Sequence, residues 1–502
     1  MTDLRPRPTE FPLTMPNQPL QSRIARVRAG TTSHVWRKLF VLGASVLLTL
    51  WTTREMYEVL AVSGMTLLEW VLLFVFAINI SWICFAFVNA TIGFACAVTP
   101  RHAARSADPV CIRNVRTVLT FPIYNEAVED VFATVSATAR MLEDAPGIYE
   151  CFILSDTTDP EIALAEEVAY TELLKTVRGN VPVRYRRRTI NHHRKSGNIR
   201  DFVMRWGGRY DHMIVFDADS YMERDTIVHL VEEMERAPHT ALIQTIPQLV
   251  GGRTLLARCQ QFASALYGPI LGGGMAWWAQ NEGNFWGHNA ILRIRPFMQH
   301  CGLRRLPGWG LFKGSVLSHD FVEAAYMGRA GQEVWLEPEL QASYEESPPT
   351  LSDELTRDRR WAKGNLQHLW LMLFSRRLRV AHRLAFLNGI MGYLASPLWF
   401  GFLVLTTVEV ARLVLWPINY FPQPNQLFPL WPEWHPTRAL ALVGITLTLL
   451  FVPKLLALVD VLISGQRRRY GGARRLCLSV LIESLASALL APIRMLAHSR
   501  YV

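Results

Sequence analysis

Several polar clusters in this chain each follow an apolar run that reads as a buried strand. In M-I-V-F-D-A-D-S, Asp217 and Asp219 lie two residues apart. In extended backbone alternate side chains share a side, so both carboxylates can face one divalent cation. Oxygen ligands of this kind suit Mg2+ or Mn2+. A D-x-D arises by chance about once in a chain of this size, so its weight comes from the four apolar residues before it. In S-H-D-F, Asp320 precedes a helical pattern. There it is either a helix N-cap or a general base that takes the proton of an acceptor hydroxyl. V-L-T-F-P-I-Y-N-E runs a strand into Pro122, Tyr124, Asn125 and Glu126, a cradle for a nucleobase or simply a turn with a helix cap. Asp156 follows the next strand in F-I-L-S-D-T-T-D, and R-K-S-G-N brings the Lys195 cation beside the bare backbone of Gly197, a pairing that suits a diphosphate. R-D-R-R-W-A-K-G-N sets Arg357, Arg360 and Trp361 on one helical stretch. Guanidinium donors there suit a pyrophosphate, and the indole is a plate for a sugar ring. A basic helix under a membrane fits the same residues.

Strand patterns at 116–121, 150–154, 183–185, 213–216 and 242–245 alternate with longer helical patterns. That alternation predicts a largely parallel sheet with crossover helices, whose ligands bind beyond the carboxyl ends of the strands. The first polar clusters fall at such ends.

The flanking sequence is of another kind. Half of the 502 residues are apolar, and they are clumped toward the two ends. About 20 apolar residues are needed to span a bilayer as a helix. Residues 39–60 and 65–98 qualify as a hairpin, 384–415 and 439–463 as two further spans, and 476–493 either spans or lies in the interface, because Glu483 and Pro492 interrupt it. Lys454 and Asp460 inside the fourth span each require a partner, a water-filled path or an interfacial position. The net charge of +10 is concentrated at 23–37, 376–383 and 467–475, beside apolar runs. This favours cytoplasmic membrane flanks over nucleic acid and predicts that 417–436, which has no Lys or Arg, faces outward. Seven cysteines without any C-x-x-C spacing indicate neither a zinc site nor a disulfide framework. The expected partition is a disordered cytoplasmic tail at 1–36, a membrane hairpin at 37–98, a cytoplasmic domain at 99–350, interfacial helices at 351–383 and a C-terminal membrane region at 384–502.

In order, these elements resemble the processive inverting glycosyltransferases of family 2. T-x-P-x-Y-N-E, L-S-D-x-x-D-P-E, R-K-S-G-N-I, D-A-D-S, F-W-G-H-N-A-I, L-S-H-D-F-V-E-A and R-D-R-R-W-x-x-G-N resemble, more closely still, the glucans biosynthesis glucosyltransferase H family, over roughly residues 116–498. The resemblance implies a cytoplasmic α/β domain of GT-A type joined to an α-helical transmembrane bundle in the bacterial inner membrane. It also implies transfer of glucose from UDP-glucose to a linear β-glucan acceptor with inversion, coupled to export. By the same resemblance, Pro122, Tyr124, Asn125, Glu126, Asp156 and Lys195 lie at the uridine side. Asp217 and Asp219 hold the metal and phosphates, and Asp320 is the base. Gly287, His288 and Asn289 lie near the acceptor, and Arg360 and Trp361 hold pyrophosphate and acceptor sugar. Arg357 stands where the wider superfamily has Gln, which argues for the H family against cellulose or hyaluronan synthase. Acyl carrier protein and a periplasmic glucan biosynthesis protein G are implied partners, and the family carries further membrane helices beyond His498. The competing readings are a family 2 synthase of another polysaccharide, a transferase to a lipid-linked acceptor, and a membrane sensor of sugar nucleotides without turnover.

Overall fold

The computed structural model describes residues 8–20, 34–61, 64–99, 110–177, 179–416, 427–428 and 435–502. Two compact units divide the chain, one comprising residues 1–33 and 101–388, the other 34–100 and 389–502.

In the first unit, β-branched and aromatic runs form seven strands: β1 Arg116–Ile123, β2 Ile148–Ser155, β3 Val183–Arg187, β4 His212–Val215, β5 Thr240–Thr245, β6 Ala290–Arg293 and β7 Glu333–Glu337. They make one sheet in the order β7-β5-β6-β4-β1-β2-β3. The five sequence-predicted strands are all present. The sheet is mixed, because β6 runs antiparallel to both β4 and β5. Its apolar residues alternate between faces as the pleat requires. Leu119, Phe121 and Ile153 join one core, with Phe121 stacked on Phe216 at 4.8 Å between ring centroids. Val118, Phe152 and Leu154 join the other, against Phe202 and Trp206. Pro122 lies beyond the last β4 partner of β1, so its missing N–H costs that ladder nothing.

Helices α3 Val128–Met141, α4 Pro160–Thr176, α5 Arg194–Trp206, α6 Arg224–Arg236, α7 Leu255–Ala279, α8 Ile294–His300, α9 His319–Arg329 and α10 Leu351–Phe374 complete this unit, numbered after α1 and α2 of the other one. A small second sheet of Tyr221–Met222, Ser343–Glu346 and Gln248–Val250 follows the D-A-D segment.

The tail expected to be disordered is, over 8–20, an extended strap on this domain. Phe11 and Leu13 donate their amides to Arg205 and Met204 carbonyls, Gln18 donates its own to Gly302, and the Trp206 indole donates to Pro8. Met15 is buried. Prolines predispose the segment to extension, and Phe11, Leu13 and Met15 at alternate positions give it an apolar edge. The rest of the expected tail before residue 34 lies outside the described residues.

The second unit contains α1 Val35–Leu60, α2 Leu67–Val98, most of α11 Val380–Leu415, α12 Pro436–Ile463 and α13 Ala473–Tyr501. Among the described residues these five helices are long and apolar enough to cross a membrane. The segment at 476–493 is thus part of a continuous helix of 29 residues. Glu483, which interrupts its hydropathy, is the partner that Lys454 requires: the ammonium lies 2.7 and 3.0 Å from the two carboxylate oxygens. Asp460 sits in the last turn of α12, near the helix end. The 417–436 loop lies almost wholly outside the described residues.

Candidate active site

Strand order reverses between β1 and β4, since β2 and β3 extend the sheet on one side of β1 and β4 on the other. A cleft opens at such a point beyond the strand ends. Asn125 follows β1 with a φ of 53°, a left-handed conformation that Asn tolerates. Its Oδ1 accepts from the Thr158 and Asp159 amides at 3.1 and 3.2 Å, and its own amide donates to Thr157 Oγ1. Asn125 therefore staples the ends of β1 and β2 together. Tyr124 beside it is exposed, and Thr158 donates to its phenol oxygen at 3.4 Å. Asp156, after β2, is buried and forked by Arg188, whose Nε and Nη2 lie 2.7 and 2.6 Å from its two oxygens. Arg188 also donates to the carbonyls of His192 and Arg194, fixing the entry to α5. Gly197 in the first turn of α5 passes so close to the His192 carbonyl that a Cβ would lie 1.8 Å from its oxygen.

Lys195, also in that first turn, bonds Asp217 Oδ1 and donates to the Gly287 carbonyl at 2.8 Å. Burial opposes its charge, but Asp217 and then Asp320 raise its pKa. Asp217 is correspondingly lowered: burial would raise it, and Lys195 and His288 reverse that. The D-A-D segment does not continue the strand. β4 ends at Val215, and the Ser220 amide donates to the Asp217 carbonyl to close a turn, so a turn and not strand alternation brings the two aspartates together. Asp219 is reachable by solvent yet crowded within the cleft. That crowding first, then Asp217, pushes its pKa up to about 6. Glu345, from the small sheet, is raised by burial, and Glu126, after β1, is raised by crowding within the cleft although its surface is exposed, with Asp217 adding to each. His288 binds this acidic side, with Nε2 3.2 Å from Glu345 Oε2 and 4.0 Å from Asp217 Oδ2.

Asp320 lies in the first turn of α9, whose N-cap is Ser318, so the helix-cap reading of Asp320 does not hold. Its carboxylate packs on Gly287, where φ is 92° and a Cβ would stand 2.6 Å from Asp320 Cγ. Only glycine satisfies both requirements. Asn289 is fully buried, and its amide nitrogen donates to Ser343 Oγ at 2.8 Å and the Tyr344 carbonyl at 3.0 Å. It lies behind the Gly287–His288 turn, fully buried, so a place for this segment near the acceptor would rest on Gly287 and His288.

On α10 the Arg357 guanidinium stacks over the Trp361 ring at 4.5 Å, leaving the indole half exposed. Arg357 also moderates the charge of Glu345, and Arg360 that of Glu126. The structure therefore gathers Glu126, Lys195, Asp217, Asp219, His288, Asp320, Arg357 and Arg360 into one electrostatically connected cleft. Arg188 and Glu345 are additions that the sequence reading missed. Arg188 belongs to a basic run with no periodic signal, and Glu345 reaches the cleft only through pairing of the small sheet.

Residues 120–301 match the family described as Glycosyl transferase family 2, and residues 212–459 match Glycosyl transferase family group 2. The chain is 46% identical over 473 residues to a glucans biosynthesis glucosyltransferase H of Cupriavidus pinatubonensis, covering 93% of this chain and 55% of that protein. It is 47% identical over 439 residues to the protein of that name in Pseudomonas paraeruginosa, covering 86% of this chain and 51% of the relative. The chain thus spans about half the length of the curated relatives it matches. Among solved structures, a mannosyltransferase from Pyrobaculum calidifontis in complex with GDP-Man and Mn2+ aligns over 79% of this chain and 98% of its own, at 15% identity and a TM-score of 0.46. A mixed sheet with polar strand ends, the two family matches and extended identity agree on a GT-A-type domain of glycosyltransferase family 2, and over most of its length the chain is a relative of the glucans biosynthesis glucosyltransferase H proteins.

Proposed function

We propose that this chain transfers glucose from UDP-glucose to a growing linear β-glucan, with inversion, on the cytoplasmic side of a bacterial inner membrane and coupled to export. The observation that carries this reading is a cleft with two acidic groups joined by one cation: Asp217, Asp219 and Glu345 on one side, Asp320 on the other, and Lys195 between. Inverting displacement needs negative charge stabilised on the leaving side and a proton removed on the attacking side. The names of the relatives support a glucan as product.

The acidic side fits a divalent cation. Asp219 at about 6, with Glu345 and Glu126 also raised, reflects desolvation first and the nearby Asp217 charge second, and a cation held among these carboxylates would relieve both. Asp217 and Asp219 would hold Mg2+ or Mn2+, which when bound supplies charge stabilisation for the departing diphosphate. Lys195 and Arg360 add cationic contacts to that diphosphate, Tyr124 and Glu126 border the uridine, and Trp361 offers its exposed ring to the acceptor sugar. Asp156 acts through Arg188, which fixes the α5 entry and so Lys195. Asp320 takes the hydroxyl proton of the acceptor as the new C–O bond to glucose forms and the bond to UDP breaks. Acyl carrier protein and a periplasmic glucan biosynthesis protein G belong to this proposal as partners.

Membranes containing the chain, given labelled UDP-sugars and Mg2+, should make polymer from UDP-glucose alone, and a linkage-specific β-glucanase should degrade it. Polymer from another donor, or label on extractable lipid, would replace the reading with another family 2 reaction. Binding without turnover would favour a sensor. In intact cells, an impermeant thiol reagent should modify Asn425→Cys and spare Gln466→Cys, and the reverse pattern would overturn the orientation.

A further inference from the structure

His319, Asp320 and Glu323 form a compact group at the start of α9. His319 Nδ1 is hydrogen-bonded to Glu323 Oε1 at 3.0 Å and stands 3.0 Å from Asp320 Oδ1 as an ion-pair neighbour, so one ring nitrogen lies against two carboxylates. Side-chain exposures of 8%, 19% and 6% put all three largely out of water. The H-D-x-x-E spacing places Glu323 one helical turn from His319, on the same face. Lys195 from α5 and His288 from the loop before β6 also face Asp320, and His368 from α10 lies close, with Nε2 2.9 Å from the Ser318 carbonyl. Cys301, at the end of α8, faces Glu323. Burial lowers His368 to about 4, so it brings no charge at neutral pH.

A base must be ionised before it can take a proton, and burial opposes that for a carboxyl group. Burial would push Asp320 up, yet His319 first, then Lys195 and His288, bring it down to about 2. Burial would likewise neutralise His319, but Asp320 and Glu323 hold it up to about 10. Lys195 is already committed to Asp217 and the Gly287 carbonyl. We propose that His319, oriented by Glu323 through Nδ1, is the positioning residue whose charge keeps the Asp320 carboxylate ionised. This rests on Asp320 being the base.

The test is turnover of UDP-glucose against pH at saturating Mg2+ in the full chain. Wild type should show no Asp320 limb between about pH 5 and about pH 9, whereas His319→Gln should acquire an acid limb, with turnover recovering at least about tenfold from about pH 6 to about pH 8.5. KM for UDP-glucose should stay within about twofold, because the change acts on proton transfer. Turnover depressed equally at every pH, or left as in wild type, would overturn the proposal. Asp320→Asn separates the two levels. If it stays active, the base assignment fails. If it is inactive while His319→Gln has a flat profile, only the positioning role fails.

Thermal unfolding is a second readout should His319→Gln not fold. The raised His319 stabilises the fold below its ordinary 6.5 and loses that contribution as pH climbs through about 10. The fall in Tm between about pH 6.5 and about pH 10 should therefore be smaller in Glu323→Gln than in wild type. An equal fall would show that Glu323 does not hold His319, and would overturn the proposal.

Discussion

The two acidic groups of the cleft contain similar residues and are balanced in opposite ways. Around Asp217 and Asp219, carboxylates crowd one another in a desolvated cleft, and Asp219, Glu345 and Glu126 are all raised, by burial first and by Asp217 second. Around Asp320, the chain supplies its own cation: His319 sits between two carboxylates, and Asp320 is lowered to about 2. A crowded carboxylate cluster whose members are pushed up is suited to an external ion, and one held ionised by a neighbouring side chain is suited to a fixed ionisation state for proton transfer. Lys195 touches the first group and is felt by the second, so the groups are distinct without being independent.

The sharpest way to break this contrast is Asp320→Asn. It keeps size and shape, removes the proton acceptor, and should lower transfer by about a hundred- to ten-thousand-fold while the protein still folds. Retained turnover would mean that the internally neutralised group has no part in proton transfer. On the other side, in the proposed metal site, protons would compete with metal for Asp219. Below its pKa of about 6 it binds a proton, so Mn2+ affinity measured by titration should weaken as pH falls from about 7 to about 5, approaching tenfold per unit at the lower end. An affinity independent of pH in that range would remove Asp219 from the metal site.

Gly287→Ala acts first on the base side, through the contact with Asp320, although the Gly287 carbonyl also accepts from Lys195. The left-handed φ and the contact with Asp320 should together cost about 2 kcal/mol of stability, read in a denaturant melt, with loss of activity through a displaced Asp320. The smallest effect should come from Trp361→Ala, which removes the stacking of Arg357 and about 0.5–1 kcal/mol of stability. Loss of metal binding in that variant would mean that α10 supports the acidic group more directly than its contacts suggest.

Much of this arrangement was legible from sequence because it is local. Apolar runs ending in Asn125, Asp156 and Asp217 announced strands with polar ends, and all three follow observed strands. The D-x-D was legible as a pair, but its geometry was not, since the chain leaves the strand at Val215 and turns. Features that depend on distant pairing were hidden. The antiparallel β6 enters between β4 and β5 from far along the chain, and Glu345 reaches the cleft on a small sheet. Asn289 is a polar residue in a functional-looking motif that turns out to be a buried brace, because motif spacing does not reveal which way a side chain faces. In the strap at 8–20, frequent prolines suggested disorder, whereas alternating Phe11, Leu13 and Met15 were the overlooked sign of an extended segment with a surface to cover.

The division of labour itself is tested by calorimetric binding of UDP-glucose to the purified full chain, with and without Mg2+, in wild type, Asp219→Asn and Asp320→Asn. Binding should strengthen with Mg2+ in wild type, lose that enhancement in Asp219→Asn and keep it in Asp320→Asn. Equal Mg2+ enhancement in wild type and Asp219→Asn, or its loss in Asp320→Asn, would contradict the assignment of metal and donor to one acidic group and proton transfer to the other.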